Sequence, residues 1–333
     1  MSFEDPITPG SRPAPHGISD TVTRAEGAST EEVVTPSASA GERGAKEPRR
    51  PFGKYFRETG WRHLIGIVML VFAGFPLVYI LSASLNPGGS LLTANGFFQV
   101  ISFQSYIDLF GDPFRPFGAW LGNTIFIGLA TAIGTVFLGA LAAYAFSRMR
   151  FLGRRSGLLT LLLVQMFPQI LALVAIFLLM SAISDIFPAL GLNSQIGLIM
   201  VYLGGALGVN TYLMYGFFNT VPASIDEAAK IDGAGHARIF FTIILRLVAP
   251  ILAVVGLLSF IATTNDFMIA SVILVEPDKQ TLAVGLYQFV SEEQSKNWSL
   301  FSAGAVLAAI LPMALFLSIQ RYIAGGLTAG SVK

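Results

Sequence analysis

The sequence predicts an all-α membrane protein with six transmembrane helices and both termini cytoplasmic. Three observations carry that reading. The 333 residues are 53% hydrophobic and only 12% charged, with a mean hydropathy of +0.66, whereas soluble domains carry roughly 25% charged residues. The apolar residues are gathered into six runs long enough to cross a bilayer. Of the 21 Lys and Arg, 18 fall on one side of those runs and 3 on the other. The side rich in Lys and Arg is the cytoplasmic one.

Residues 1–50 are rich in Pro, Gly, Ser, Ala, Thr and Glu. Such a segment cannot bury enough apolar surface to offset its ordering entropy, so a disordered cytoplasmic tail is expected. It lacks the early apolar core of a signal peptide. Residues 51–333 are expected to form the transmembrane domain, and a basic cluster of Lys46, Arg49, Arg50, Lys54, Arg57 and Arg62 stands just before its first apolar run. The spans are expected at 64–84, 119–146, 157–182, 196–218, 247–275 and 301–323. At about 1.5 Å per residue the first reaches roughly 30 Å, the thickness of a bilayer core. A helix is the form in which a lipid-exposed chain satisfies its own backbone.

Several residues interrupt the apolar runs. Pro76, Pro168 and Pro312 fall inside spans, where each removes a helix hydrogen bond and is expected to kink the chain. Gly204-x-x-x-Gly208 is expected to let a neighbouring helix approach closely. Asn265 and Asp266 lie in the fifth span. A carboxylate at a helix centre costs about 2.5–3.5 kcal/mol on insertion scales, so it should face a cavity or a partner. The pair reads equally as pathway lining that takes a polar solute or as a polar contact that fixes subunit packing.

The loop at 219–246 carries the clearest local signals. Ser224 and Glu227 have the spacing of a capping box. A short helix over 225–231 should end at Asp232-Gly233, because glycine accepts the left-handed conformation that closes a helix. A second helix should restart near Gly235. On the other side, the loop at 276–300 is long and aromatic, with Tyr287, Phe289 and Trp298.

Composition excludes several classes. There are no cysteines, so disulfides, thiol catalysis and cysteine-ligated metal are out. His16, His63 and His236 are far apart in sequence, and no metal site is expected. A net charge of +1 implies no general attraction to nucleic acid. No phosphate-binding G-x-x-x-x-G-K-[ST] loop occurs, so the chain is expected to bind neither ATP nor another cofactor. No enzymatic role is expected. An ion-coupled secondary transporter would commonly show repeated halves, and none is visible. An intramembrane hydrolase using Asp266 lacks a second carboxylate beside it.

The run Glu227-Ala228-Ala229, Asp232-Gly233-Ala234, Phe240, Ile243, Leu245 and Pro250 resembles the coupling-loop signature of ABC-importer permeases. Arg246 stands where that family usually has proline. From about Ala142 to Lys333 the chain is similar to the shorter permease subunit of maltose/maltodextrin importers. The similarity shows in AYAFSRMRF at 143–151, QMFP at 165–168, YLGG at 202–205 and QRYIAGGLTAGSVK at 320–333. The resemblance implies the type I ABC-importer permease fold in a bacterial cytoplasmic (inner) membrane. It implies a carbohydrate importer with a second, different permease subunit, two ATPase subunits that bind ATP and Mg, and an extracytoplasmic solute-binding protein. It further implies that Glu227, Ala228, Ala229, Asp232, Gly233 and Ala234 dock on an ATPase. Gly326, Leu327, Thr328, Ala329 and Gly330 would reach the ATPase interface. Thr281, Leu282, Gly285, Tyr287, Gln288 and Trp298 would contact the binding protein. In the maltose family the membrane sugar site lies mainly on the longer partner.

Overall fold

In the computed structural model, residues 60–88, 97–291 and 297–329 are described, the last seven of these by backbone alone. Among them every regular element is helical. All but the first two fall in one unit, Arg62–Lys333. The expected tail at 1–50 and the basic residues Lys46 to Arg57 lie outside the described residues, whereas Arg62 stands in the first turn of the first span.

We number the helices α1 Trp61–Ser84, α2 Gln104–Gly111, α3 Phe117–Arg148, α4 Arg154–Gln165, α5 Gln169–Ile186 and α6 Gln195–Phe218. After these come α7 Ala223–Ile231, α8 His236–Leu247, α9 Ala249–Asn265, α10 Met268–Ile273, α11 Leu282–Ser291 and α12 Trp298–Ala329. α3, α6, α9 and α12 form the bundle, with α3 packed most extensively against α6 and α9. Among the described residues five helices are long and apolar enough to cross a membrane, or six if the bent pair α8–α9 counts as one span. Over its apolar stretch α1 buries nothing; Phe72 is 78% exposed. That surface is stable only against lipid or another subunit.

Two expected spans are discontinuous. The third, expected at 157–182, is broken at Met166-Phe167-Pro168 into α4 and α5. Pro168 does more than kink: it has no N–H to donate and disfavours helical backbone in the residue before it. It therefore stands at the N-terminus of α5 with φ −63° and ψ 119°. α4, at 12 residues, reaches only about 18 Å. Pro76 and Pro312 stay inside α1 and α12, as expected. The fifth span, expected at 247–275, ends as a helix at Asn265 and resumes at Met268. Asp266 is thus at a helix break and not at a helix centre. At its other end α9 meets α8 at a bend of 79°.

The ends of α3 fix the loops at both ends of the bundle. At its N-terminal end, Trp120 Nε1 donates to the Pro277 carbonyl at 2.7 Å. Asn123 donates to the carbonyls of Asp278 and Gln280, and the Leu282 N–H donates to Thr124 Oγ1 at 2.7 Å. These bonds seat α11, which buries Leu282, Val284, Leu286 and Phe289. A side chain at Gly285 would collide with the Trp120 indole. Gly285→Ala is therefore expected to lower stability by about 1–3 kcal/mol through overpacking. Thermal unfolding of the detergent-solubilised protein checks this.

Candidate functional site

At the C-terminal end of α3 the chain builds a corner from α7 and α8. α7 begins at Ala223, so Ser224 lies inside the helix and the expected capping box does not form; Pro222 flanks the start and no side chain caps it. The C-terminus closes as expected. Gly233 has φ +79°, its N–H donates to the Lys230 carbonyl and the Ala234 N–H donates to the Ala229 carbonyl. That pair of bonds is a Schellman motif, which needs the left-handed glycine. α8 then restarts at His236 and passes through a π-helical stretch, Ile239–Ile244. Phe240 is buried there and meets Tyr144 of α3 with ring centroids 5.1 Å apart.

α7 has two faces. Asp226 and Ala229, three residues apart, point into the bundle at 6% and 8% exposure. Ala229 packs in the cluster that holds Ala143, Tyr144, Phe218 and Phe240. Asp226 meets Arg148, the last residue of α3, with Nε 2.6 Å from Oδ2. The angles are not those of a hydrogen bond, so opposite charge holds this contact. Arg148 also donates from a terminal nitrogen to the Val221 carbonyl at 2.7 Å. The ion pair joins a cation at a helix C-terminus to an anion in the first turn of another, and both dipoles favour it. The other face of α7 is open: Glu227, Ala228, Lys230, Asp232 and Gly233 are exposed, and Ile231 is 87% exposed.

The expected docking set therefore divides. Glu227, Ala228, Asp232 and Gly233 are on the surface and Ala234 is half-buried, whereas Ala229 belongs to this chain's own core. A large residue at Ala229 would strain the chain itself. Ile231 and Asp226 were missed by sequence reasoning. Their three-and-four spacing to Ala229 and Glu227 on one helix could have assigned both faces.

A second feature lies within the bundle. A cavity of about 500 Å³ opens between the α4–α5 break, α6 and α9. Gln165, Gln169, Tyr202, Asn210, Thr263 and Asp266 are its main polar residues. Asp266 Oδ1 accepts from Tyr202 Oη at 2.8 Å and from the Ile269 and Ala270 N–H groups at 3.0 and 3.1 Å. The carboxylate thus caps α10. Asn265 is exposed and lies outside the cavity wall. Gln165 Nε2 donates to the Gly205 carbonyl, and a side chain at Gly208 would strike Gln165. The close approach expected of Gly204 and Gly208 is thus made at Gly208, while Gly204 has open space beside it.

Elsewhere, Thr281, Leu282 and Gly285 are buried in this chain. Tyr287 is 52% exposed, Gln288 donates to Gln280 at 2.6 Å, and Trp298 stacks edge-on with Phe301. Gly326, Leu327, Thr328 and Ala329 continue the α12 backbone, and Gly330 lies outside the described residues. Among the described residues no cluster of His, Asp and Glu could hold a metal ion.

A bundle of apolar helices with two breaks, a corner at one end and a polar cavity inside is the architecture of a membrane-spanning protein. Residues 135–328 match the family described as binding-protein-dependent transport system inner membrane components, and the chain belongs to that family. It is 39% identical over 81% of its length to the galactooligosaccharide permease protein GanQ of Bacillus subtilis, covering 94% of that protein. It is 37% identical to the maltose/maltodextrin permease protein MalG of Escherichia coli, over 81% of this chain and 94% of that one. Among solved structures, one chain of a bacterial ABC transporter that imports the acidic polysaccharide alginate aligns with a TM-score of 0.68. Identity there is 25%, over 83% of this chain and 99% of that chain. The protein is thus a multi-pass inner-membrane component of an ABC importer and not an enzyme. The ion-coupled and hydrolase alternatives are set aside.

Removing one member of a buried ion pair strands the other, which costs about 3–5 kcal/mol. Arg148→Ala should destabilise the protein by that order, and the reversal Arg148→Asp with Asp226→Arg should recover part of it. Denaturation of the parent and the two variants in detergent measures both effects.

Proposed function

We propose that this chain is one permease subunit of an ATP-driven oligosaccharide importer, and that α7 is its coupling helix. The observation that carries the reading is the two-faced α7. One face is anchored to α3 by Arg148–Asp226 and Ala229, and the other presents Ile231 and Ala228 to a partner. An exposed apolar side chain on a short, rigid helix suits a groove on another protein.

In this reading both termini and the corner are cytoplasmic, as the Lys and Arg distribution requires. A second, different permease completes the pathway. Two ATPase subunits bind ATP and Mg, and one of them grips Glu227, Ala228, Ile231, Asp232, Gly233 and Ala234. Gly326–Gly330 lies toward the ATPases. A solute-binding protein docks at the opposite end, on Tyr287 and Trp298. When the ATPases close, α7 is displaced. Its pairing with Arg148 carries the displacement to α3, and the 79° corner carries it to α9. α9 forms one wall of the cavity, so access to the cavity changes with the nucleotide state. The cargo is a maltodextrin or a galactooligosaccharide, which the similarity to maltodextrin and galactooligosaccharide permeases at 37–39% identity supports.

Two substitutions test this. Ile231→Glu places a charge in the docking groove. Gly233→Pro cannot adopt φ +79° and removes a terminating hydrogen bond. Each should cut ATP-driven oligosaccharide uptake in proteoliposomes at least tenfold while the helical circular dichroism is kept. Normal uptake and ATPase coupling in both would overturn the proposal.

A further inference from the structure

We infer that the cavity between the α4–α5 break, α6 and α9 is a binding subsite for an uncharged saccharide, carried by this chain itself. The inference rests on the importer reading and extends it from route to selectivity. Among the described residues the wall holds one carboxylate, Asp266, and no Lys, Arg or His. Oδ1 of Asp266 is taken by three donors. Among the described residues Oδ2 has no hydrogen-bond partner, which leaves an acceptor held in fixed orientation for a hydroxyl donor. Two primary amides, Gln169 and Asn210, line the same cavity. Each can donate and accept, the combination that vicinal hydroxyls require. Asn210 uses one donor within its own helix, to the Ala206 carbonyl at 2.8 Å. Phe167 and Tyr202 supply aromatic surface for the C–H faces of a pyranose. A volume of about 500 Å³ falls in the range of about 300–1,000 Å³ that encloses a small ligand.

The charge of the wall sets the selectivity. A fixed carboxylate within a bilayer repels a uronate and has no cation beside it to offset that repulsion. The cavity therefore excludes acidic saccharides. A cationic solute is the competing occupant, but a lone carboxylate with one oxygen saturated is a poor cage for it.

The chain has no cysteine, so Ala262→Cys on the cavity wall supplies a single reporter thiol. In the importer complex purified with its ATPase, maleimide labelling of this subunit is timed with maltotetraose, galactotetraose, tetragalacturonate or spermidine. Maltotetraose or galactotetraose should slow labelling at least fivefold, and tetragalacturonate and spermidine should not. Asp266→Asn should raise the half-protecting concentration at least tenfold or admit tetragalacturonate. Gln169→Ala should raise it severalfold without touching the cap of α10. The inference is overturned if neither neutral sugar protects in a complex that hydrolyses ATP, or if tetragalacturonate or spermidine protects equally well. It is also overturned if both variants behave as the parent. A preparation from which no ATPase co-purifies would instead overturn the importer reading.

Discussion

Arg148 and Asp226 meet where α3, the most extensively packed helix of the bundle, ends and the exposed corner begins. Both side chains are at least 89% removed from solvent, so neither charge can be left alone without a large desolvation cost. That constraint holds α7 in one orientation. With Asp226 turned inward, Ala229 is turned inward too, and Glu227, Ala228 and Ile231 must face out. The surface offered to a partner is thus set by a contact on the opposite side of the same helix.

The cavity depends on a different device. Both elements that open it are helices that fail to continue. Pro168 ends one helix and starts another, which frees Gln165 to reach the Gly205 carbonyl across to α6. Asp266 ends α9 and caps α10 with the same oxygen that takes the Tyr202 hydroxyl. Broken helices at membrane depth expose polar backbone, and they are tolerated where they line a cavity or find side-chain partners. The two breaks do both.

Much of this was legible in the chain. Long apolar runs and the Lys/Arg bias place helices because lipid leaves the backbone no alternative. Gly233 was legible as a terminator because positive φ is a local demand of one residue type. The breaks were less so. A proline inside an apolar run reads as a kink, and only the packing of Gln165 against Gly208 shows that the chain separates there. Asp266 read as a buried charge because its three donors come from Tyr202 on α6 and from the backbone N–H groups of Ile269 and Ala270, one turn on, in the helix that it caps. The Ser224–Glu227 spacing misled for a similar reason. Helix α7 starts at Ala223, where its inward face can bring Asp226 to Arg148, and that tertiary contact outweighs a local cap worth about 1 kcal/mol. In the sequence the loop at 276–300 showed only its length and its aromatics, yet hydrogen bonds with Trp120, Asn123 and Thr124 seat Pro277, Asp278, Gln280 and Leu282 against α3.

The central claim is that the corner and the end of α3 move as one body. Spin labels at Lys230→Cys and Arg150→Cys in the otherwise cysteine-free chain give the distance between them in the assembled importer. The account predicts one narrow distance with and without ATP, while a second pair, Lys230→Cys with Phe167→Cys, shifts between the two states. A Lys230–Arg150 distance that changes or broadens with ATP would contradict it.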